Sequence, residues 1–358
     1  MLNRLMTLMF IALLFSCGNN ETPSTEPSTE ETAEKKEITL YTHRHYDSDK
    51  EIFAKFEEQT GIKVNVVKAS ADELIQKLES EGDQSPADLL ITVDAGRLVR
   101  AKSKGLLQSV ASEKLEATIP THLRDVDNQW FGLTKRARVI VYNKSKVKPE
   151  DLSTYEALAE PQWKGKILIR SSSNIYNQSL MASIIANDGK EAAKEWATAL
   201  VANFARVPKG NDRDQVKAIL AEEGDLAIIN TYYLGKLLNS KDENEVAAGN
   251  AVGVFFPNQE NRGTHINISG IGVAKHAPNK ANAIQFIEYL VSEGVQKTFA
   301  EANFEYPINP NIKTDSDLLL SWGAFKEDNL SLVKLGELNK EAVILFDEVA
   351  WDKGPNVE

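Results

Sequence analysis

Nine tyrosines occur in the 358 residues, and four of them stand beside residues that could complete a metal site. They fall in three segments: His43-Arg44-His45-Tyr46, Ser173-Asn174-Ile175-Tyr176 and Thr231-Tyr232-Tyr233. A phenol keeps its proton up to a pKa of about 10, so tyrosine is a poor ligand for most divalent ions. A hard, highly charged cation displaces that proton and binds the phenolate oxygen, and ferric ion (Fe3+) is the biologically common case. Imidazole also suits iron. His45, adjacent to Tyr46, is the histidine expected to join, while His43 alternates with it on an extended segment and faces away. Four phenolates around Fe3+ leave one net negative charge, which Arg44 in the same loop offsets. One protonated tyrosine would serve equally well, and Fe2+ would suit that arrangement.

Such a site needs strands that end and helices that begin at the right residues. Residues 38–42 read as a strand, and 47–59 as a helix with Ile52, Phe53 and Phe56 on one face and a Thr60-Gly61 stop. Residues 62–67 alternate as a strand, Ser70 or Asp72 caps the next helix, and 87–93 is a buried strand leading into a helix that ends near Gly105. A second series contains strands at 165–170 and 225–230. Its helices are expected at 178–204, 214–222 and 232–239. The extended stretches 133–143 and 264–275 join the two series, and helices at 279–291 and 293–302 precede a helical tail.

This is an α/β grammar of two lobes, each a mostly parallel sheet flanked by helices, with two extended hinge crossings. The expected division is lobe 1 at 37–135 and 264–310, lobe 2 at 136–263, and C-terminal helices at 311–358 packing across both. In open α/β sheets ligands meet the loops at the carboxyl ends of strands. All four tyrosines fall at such turns, and unpaired N–H groups of nearby helix N-termini favour phenolate.

The 52 acidic against 41 basic residues give a net charge of −11, which argues against general binding to nucleic acid or anionic lipid. A single cysteine excludes an intrachain disulfide, a multi-cysteine zinc site and an iron–sulfur cluster. Arg4, an apolar run at 5–15 and Ser16-Cys17-Gly18 describe a secretory signal over residues 1–16. The run falls short of the ~20 apolar residues that a membrane-spanning helix needs. Leu14-Phe15-Ser16-Cys17 resembles a bacterial lipobox, in which the cysteine is acylated and becomes the new N-terminus. The rest of 17–36 is rich in Glu, Thr, Ser and Pro without apolar periodicity, and reads as a disordered tether that holds part of the acidity.

The chain resembles the ferric-ion-binding proteins of bacterial ABC importers, the tyrosine-rich branch of the two-lobed binding-protein superfamily. The likeness runs from about residue 37 to 310. It rests on Arg44-His45-Tyr46, Ser85-Pro86-Ala87-Asp88, Gln129-Trp130-Phe131-Gly132-Leu133-Thr134, Arg136-Ala137-Arg138, Ser173-Asn174-Ile175-Tyr176-Asn177, Asp212-Arg213-Asp214-Gln215, Asn230-Thr231-Tyr232-Tyr233 and Asn267-Ile268-Ser269-Gly270. The resemblance implies iron held in the interlobe cleft by Tyr176, Tyr232 and Tyr233, with Tyr46 and His45 from the first lobe. It also implies delivery to a membrane permease, and the lipobox reading adds a monomer anchored through Cys17 on the periplasmic side or cell surface. Five protein ligands leave little need for a synergistic anion, so binding without one is expected.

Other readings stay open. An oxyanion carrier of the same fold would use Ser171-Ser172-Ser173, and a polyamine carrier would use Trp130 and Asp94. An enzyme is disfavoured, since there is no Gly-x-Ser-x-Gly elbow and no glycine-rich phosphate loop.

Overall fold

The computed structural model describes residues 36–44 and 46–355. The signal at 1–16, Cys17, the tether up to its last residue, and His45 lie outside the described residues. Among the described residues there are ten strands. They are β1 (Glu37–Thr42), β2 (Lys63–Lys68), β3 (Leu89–Val93), β4 (Leu107–Gln108), β5 (Phe131–Asn143), β6 (Ile167–Leu168), β7 (Leu226–Asn230), β8 (Val252–Phe255), β9 (Ile266–Ala274) and β10 (Tyr306–Pro307). The order is β2-β1-β3-β9-β5-β7-β6, with β4 beside β9, and β8 and β10 beside β5.

Parallel pairing joins β1 to β2 and β3, and β6 to β7. The long strands β5 and β9 run antiparallel to their neighbours and to each other. Residues 131–137 of β5 pair with β9, whereas 138–143 pair with β7 and β8. One strand therefore serves two sheets, the mark of a two-lobed α/β protein whose lobes share a crossing. Tyr155 pins the crossing: its hydroxyl donates to the Arg138 carbonyl and accepts from the His265 N–H at 3.2 Å.

Local signals explain the elements that matter. The Asp47–Thr60 helix buries Ile52, Phe53 and Phe56, and Gly61 ends it at φ 71°, where its N–H reaches Glu57 O. Ser70 opens the Ala71–Glu81 helix with a reciprocal capping box: its Oγ accepts from Glu73 N at 3.3 Å while the Glu73 carboxylate accepts from Ser70 N at 2.9 Å.

Elsewhere the structure departs from expectation. The strand expected at 165–170 shrinks to β6, because the Arg170 carbonyl accepts from Asn177 Nδ2 at 2.9 Å and Trp351 Nε1 at 3.1 Å. The helix expected at 178–204 is two, Ile175–Asp188 and Lys190–Ala202, divided at Gly189 with φ 87°. A helix at Glu243–Ala251, opened by Asp242 accepting from Asn244 N, and the strand β8 were not foreseen; the helix carries almost no apolar periodicity. In the tail, the Val333–Glu337 helix packs on both Ala95–Ser103 and Ile175–Asp188. No helix among the described residues is long and apolar enough to cross a membrane.

Candidate metal centre

Three of the four tyrosines come from one side, through two helix starts. Asn174 caps the Ile175–Asp188 helix by accepting from Tyr176 N at 3.1 Å, which fixes Tyr176 in the first turn. β7 passes directly into the Thr231–Leu238 helix, so Tyr232 and Tyr233 occupy its first turn. The Tyr176 and Tyr232 hydroxyl oxygens lie 3.1 Å apart. The Tyr232 and Tyr233 rings sit 4.2 Å apart between centroids, and Tyr176 is 6.5 Å from Tyr233.

Tyr46 arrives from the other side, on extended backbone just before the Asp47–Thr60 helix and without a capping bond from its own side chain. Arg44 holds it. That buried guanidinium donates to both Asp49 oxygens at 3.0 and 3.1 Å and stacks over the Tyr46 ring at 4.6 Å. The Lys236 ammonium lies 4.2 Å from the Tyr46 centroid and 5.4 Å from that of Tyr232, so the two rings flank one cation. His43 is half-buried, and its Nδ1 accepts from Val93 N at 3.3 Å.

Beneath the rings lies a layer of charge. Arg136 and Arg138, two apart on β5, share a strand face and are both buried. Arg136 donates to Ser269 Oγ at 2.7 Å and to the Glu305 carboxylate, and lies 5.5 Å from the Tyr232 ring. Glu305 is fully buried; it also accepts from Thr134 Oγ1 at 3.0 Å and faces Arg44 at 3.5 Å. Arg138 binds Asp212 at 3.1 Å and Asn177 Oδ1 at 2.7 Å. Arg170 shares Asp212 at 3.1 Å, and both arginines lie within 6 Å of the Tyr176 ring, at 5.9 and 5.5 Å.

This layer was only partly visible beforehand. Arg136 and Arg138 entered only as part of a family motif, and Glu305 gave no local signal, because its partner Arg136 is 169 residues away.

Without a bound cation the phenols of Tyr46, Tyr176 and Tyr232 are held protonated. Burial raises Tyr46 well above the usual range, and Glu305 adds to it. Burial does the same for Tyr232, reinforced by Tyr176 and Tyr233. Tyr176 is raised by burial and by Tyr233, against the pull of Arg136. Lys236 is lowered to about 8, first by burial and then by the neighbouring arginines. Only a strong Lewis acid would draw protons from such a set, and the arginine layer is then placed to neutralise the phenolates. Among the described residues, no three His, Cys, Asp or Glu side chains could hold a metal ion together.

The competing readings lose their residues. Trp130 is fully buried in the core. Asp94 is also buried, its carboxylate consumed by Ser179 Oγ at 2.7 Å, Asn267 Nδ2 at 2.7 Å and Gly96 N at 2.9 Å. Neither is open to a polyamine. Of the three serines proposed for an oxyanion, Ser172 is bonded to Asp352, and Ser171 to Ser173 at 3.0 Å.

Fold and centre together define a carrier of small solutes, and the chain belongs to the bacterial extracellular solute-binding proteins, with residues 51–326 matching that family. Within it the similarities are to iron proteins. Iron uptake protein A1 of Synechocystis is 52% identical over 339 residues, covering 95% of this chain and 93% of that protein. The Trichodesmium protein FutA (IdiA), solved in complex with iron and citrate ligands, superposes with a TM-score of 0.86 at 51% identity, covering 88% of this chain and 99% of that one. The ferric binding protein of Campylobacter jejuni follows at 0.82 and 48% identity, with coverage of 88% and 99%. The family is one of solute binders rather than enzymes.

Proposed function

We propose that this chain captures ferric ion in the cleft between its lobes and delivers it to the permease of an ABC importer. The observation that carries the reading is the group of Tyr176, Tyr232 and Tyr233 at two helix starts, backed by buried arginines, with Tyr46 facing them across Lys236. The iron-protein relatives support it. Tyr46, Tyr176, Tyr232, Tyr233 and His45 are the ligands, and no synergistic anion is required.

On binding, each phenol gives up its proton and its oxygen donates a lone pair to the ion. Arg44, Arg136, Arg138 and Arg170 hold the resulting charge without touching the metal. Lobe 1 comprises 37–135 and 264–310, lobe 2 comprises 136–263, and 311–358 braces both. The signal at 1–16 is removed, and acylated Cys17 anchors a monomeric carrier through its tether on the outer side of the cell membrane or in the periplasm. Ferrous ion is the second cargo the donors admit, since burial favours neutral phenols.

The test is to add Fe3+, kept soluble by a weak chelator, to metal-free mature chain and record the visible spectrum. A stoichiometric complex with tyrosinate-to-iron charge-transfer absorption is expected. A colourless mixture that leaves all the iron on the chelator overturns the assignment.

A further inference from the structure

Phe304 adopts φ 57° and ψ 36°, the left-handed region that bulky side chains rarely enter. It ends the Glu293–Asn303 helix, which packs on the Asp47–Thr60 helix, and it immediately precedes Glu305 and β10. Opposite it, Gly235 lies inside the Thr231–Leu238 helix, three residues beyond Tyr232 and next to Lys236. Glycine weakens a helix interior, so its presence there calls for a reason. A Cβ built on Gly235 would fall 2.4 Å from Phe304 Cγ, 2.6 Å from its Cβ and 2.7 Å from its Cδ2. Those atoms are the stem of the ring rather than the end of a flexible chain, so they cannot swing aside.

The two surfaces belong to different sheets. Phe304 is tied through β10 to the part of β5 that pairs with β9, whereas the Thr231–Leu238 helix grows out of β7. Both also adjoin the tyrosines. Glu305, next to Phe304, holds Arg44 and Arg136, and Lys236, next to Gly235, lies between Tyr46 and Tyr232.

We propose that the seating of Phe304 on Gly235 is the stop that sets how far the lobes close, and so fixes the distance from Tyr46 to Tyr176, Tyr232 and Tyr233. The inference rests on the cleft reading above. Gly235 and Phe304 are positioning residues: they touch no metal and act through the angle between the sheets.

The experiment compares wild type, Gly235→Ala and Gly235→Ala/Phe304→Gly as mature chains. Phe304→Gly removes the clashing atoms and suits the positive φ. Iron release to a competing chelator, the charge-transfer maximum, the radius of gyration of the iron-loaded form and the melting temperature of the metal-free form are measured for each. Gly235→Ala is expected to release iron faster by at least about tenfold. Its charge-transfer band should move and its iron-loaded form should expand. The metal-free melting temperature should stay within about 2 °C. The double variant is expected to recover the wild-type band and slow release. Wild-type release by Gly235→Ala overturns the inference. So does an equal loss of melting temperature with and without iron that the second change does not repair, because that is the behaviour of ordinary packing. A wild-type chain that binds no iron overturns the cargo reading and the stop with it, whereas a normal wild-type complex with an unaffected variant overturns the stop alone.

Discussion

The two halves of the centre are built to different standards. On the side of β6 and β7, Tyr176, Tyr232 and Tyr233 are set by helix starts, touch one another and rest on Arg138 and Arg170, which share the buried Asp212. On the side of β1, Tyr46 stands alone on extended backbone, with Arg44 under its ring and Glu305 behind Arg44. Preorganised donors lose little freedom when they bind, whereas a donor brought in by closure carries the cost of closing. On the ferric-ion reading, the pairing implies a division of labour: one half recognises the ion, and the other completes its enclosure.

Substitution of ligands is the hardest test of that contrast. Tyr232→Phe or Tyr233→Phe should weaken ferric binding by more than about 100-fold, and Tyr46→Phe by only about tenfold. Chelator competition measures both, with Tyr142→Phe, on β5 outside the cluster, as the control expected to change nothing. Equal losses from the two sides would erase the distinction.

Glu305 sharpens it next. Removing its charge leaves the buried Arg136 without a carboxylate and Arg44 with Asp49 alone, so Glu305→Gln should cost about 3 kcal/mol in denaturant unfolding of the metal-free protein. Ultraviolet titration should show the Tyr46 phenol falling, because Glu305 helps to raise it. The Tyr176 phenol, where Asp212 is the carboxylate that acts, should hardly move.

Smaller effects come from pH. Tyr46, Tyr176 and Tyr232 are raised, so they remain protonated through the neutral range and each must release a proton to bind iron. Affinity therefore falls as pH falls, by about a factor of ten per pH unit for each proton released. A slope of one proton or fewer would mean that the phenols do not bind together. Lys236 gives the metal-free fold a pH dependence of the same sign. Its folded value is about 8, and the unfolded chain keeps that proton up to about 10.4. The unfolded state binds more protons between those limits, so stability should rise with pH across that window, and Lys236→Met should remove the rise.

Much of this was legible from residues alone. The strand-to-helix turns bearing Tyr46, Tyr176, Tyr232 and Tyr233 could be read because apolar periodicity switches there, and Ser70 and Gly61 act as local grammar says they should. What escaped was long-range or weakly patterned. Glu305 meets Arg136 only across a separation of 169 residues. The early end of β6 depends on Trp351, 181 residues beyond Arg170. The close approach of Phe304 to Gly235 exists only in three dimensions, since a lone glycine in a short helix has no distinctive local pattern.

The position of Arg136 and Arg138 on β5 has a consequence for unloading. They are two residues apart on the one strand that serves both sheets, so opening the lobes leaves their separation at about 7 Å. Tyr46, in contrast, follows β1 while the other three tyrosines follow β6 and β7, so on the ferric-ion reading opening parts Tyr46 from them. Opening thus withdraws one donor while the cationic floor stays in place. On the ferric-ion reading, an ion that loses Tyr46 faces fewer anionic donors over the same cations than it did in the closed cleft, so the strand that permits closure also favours release once the cleft opens.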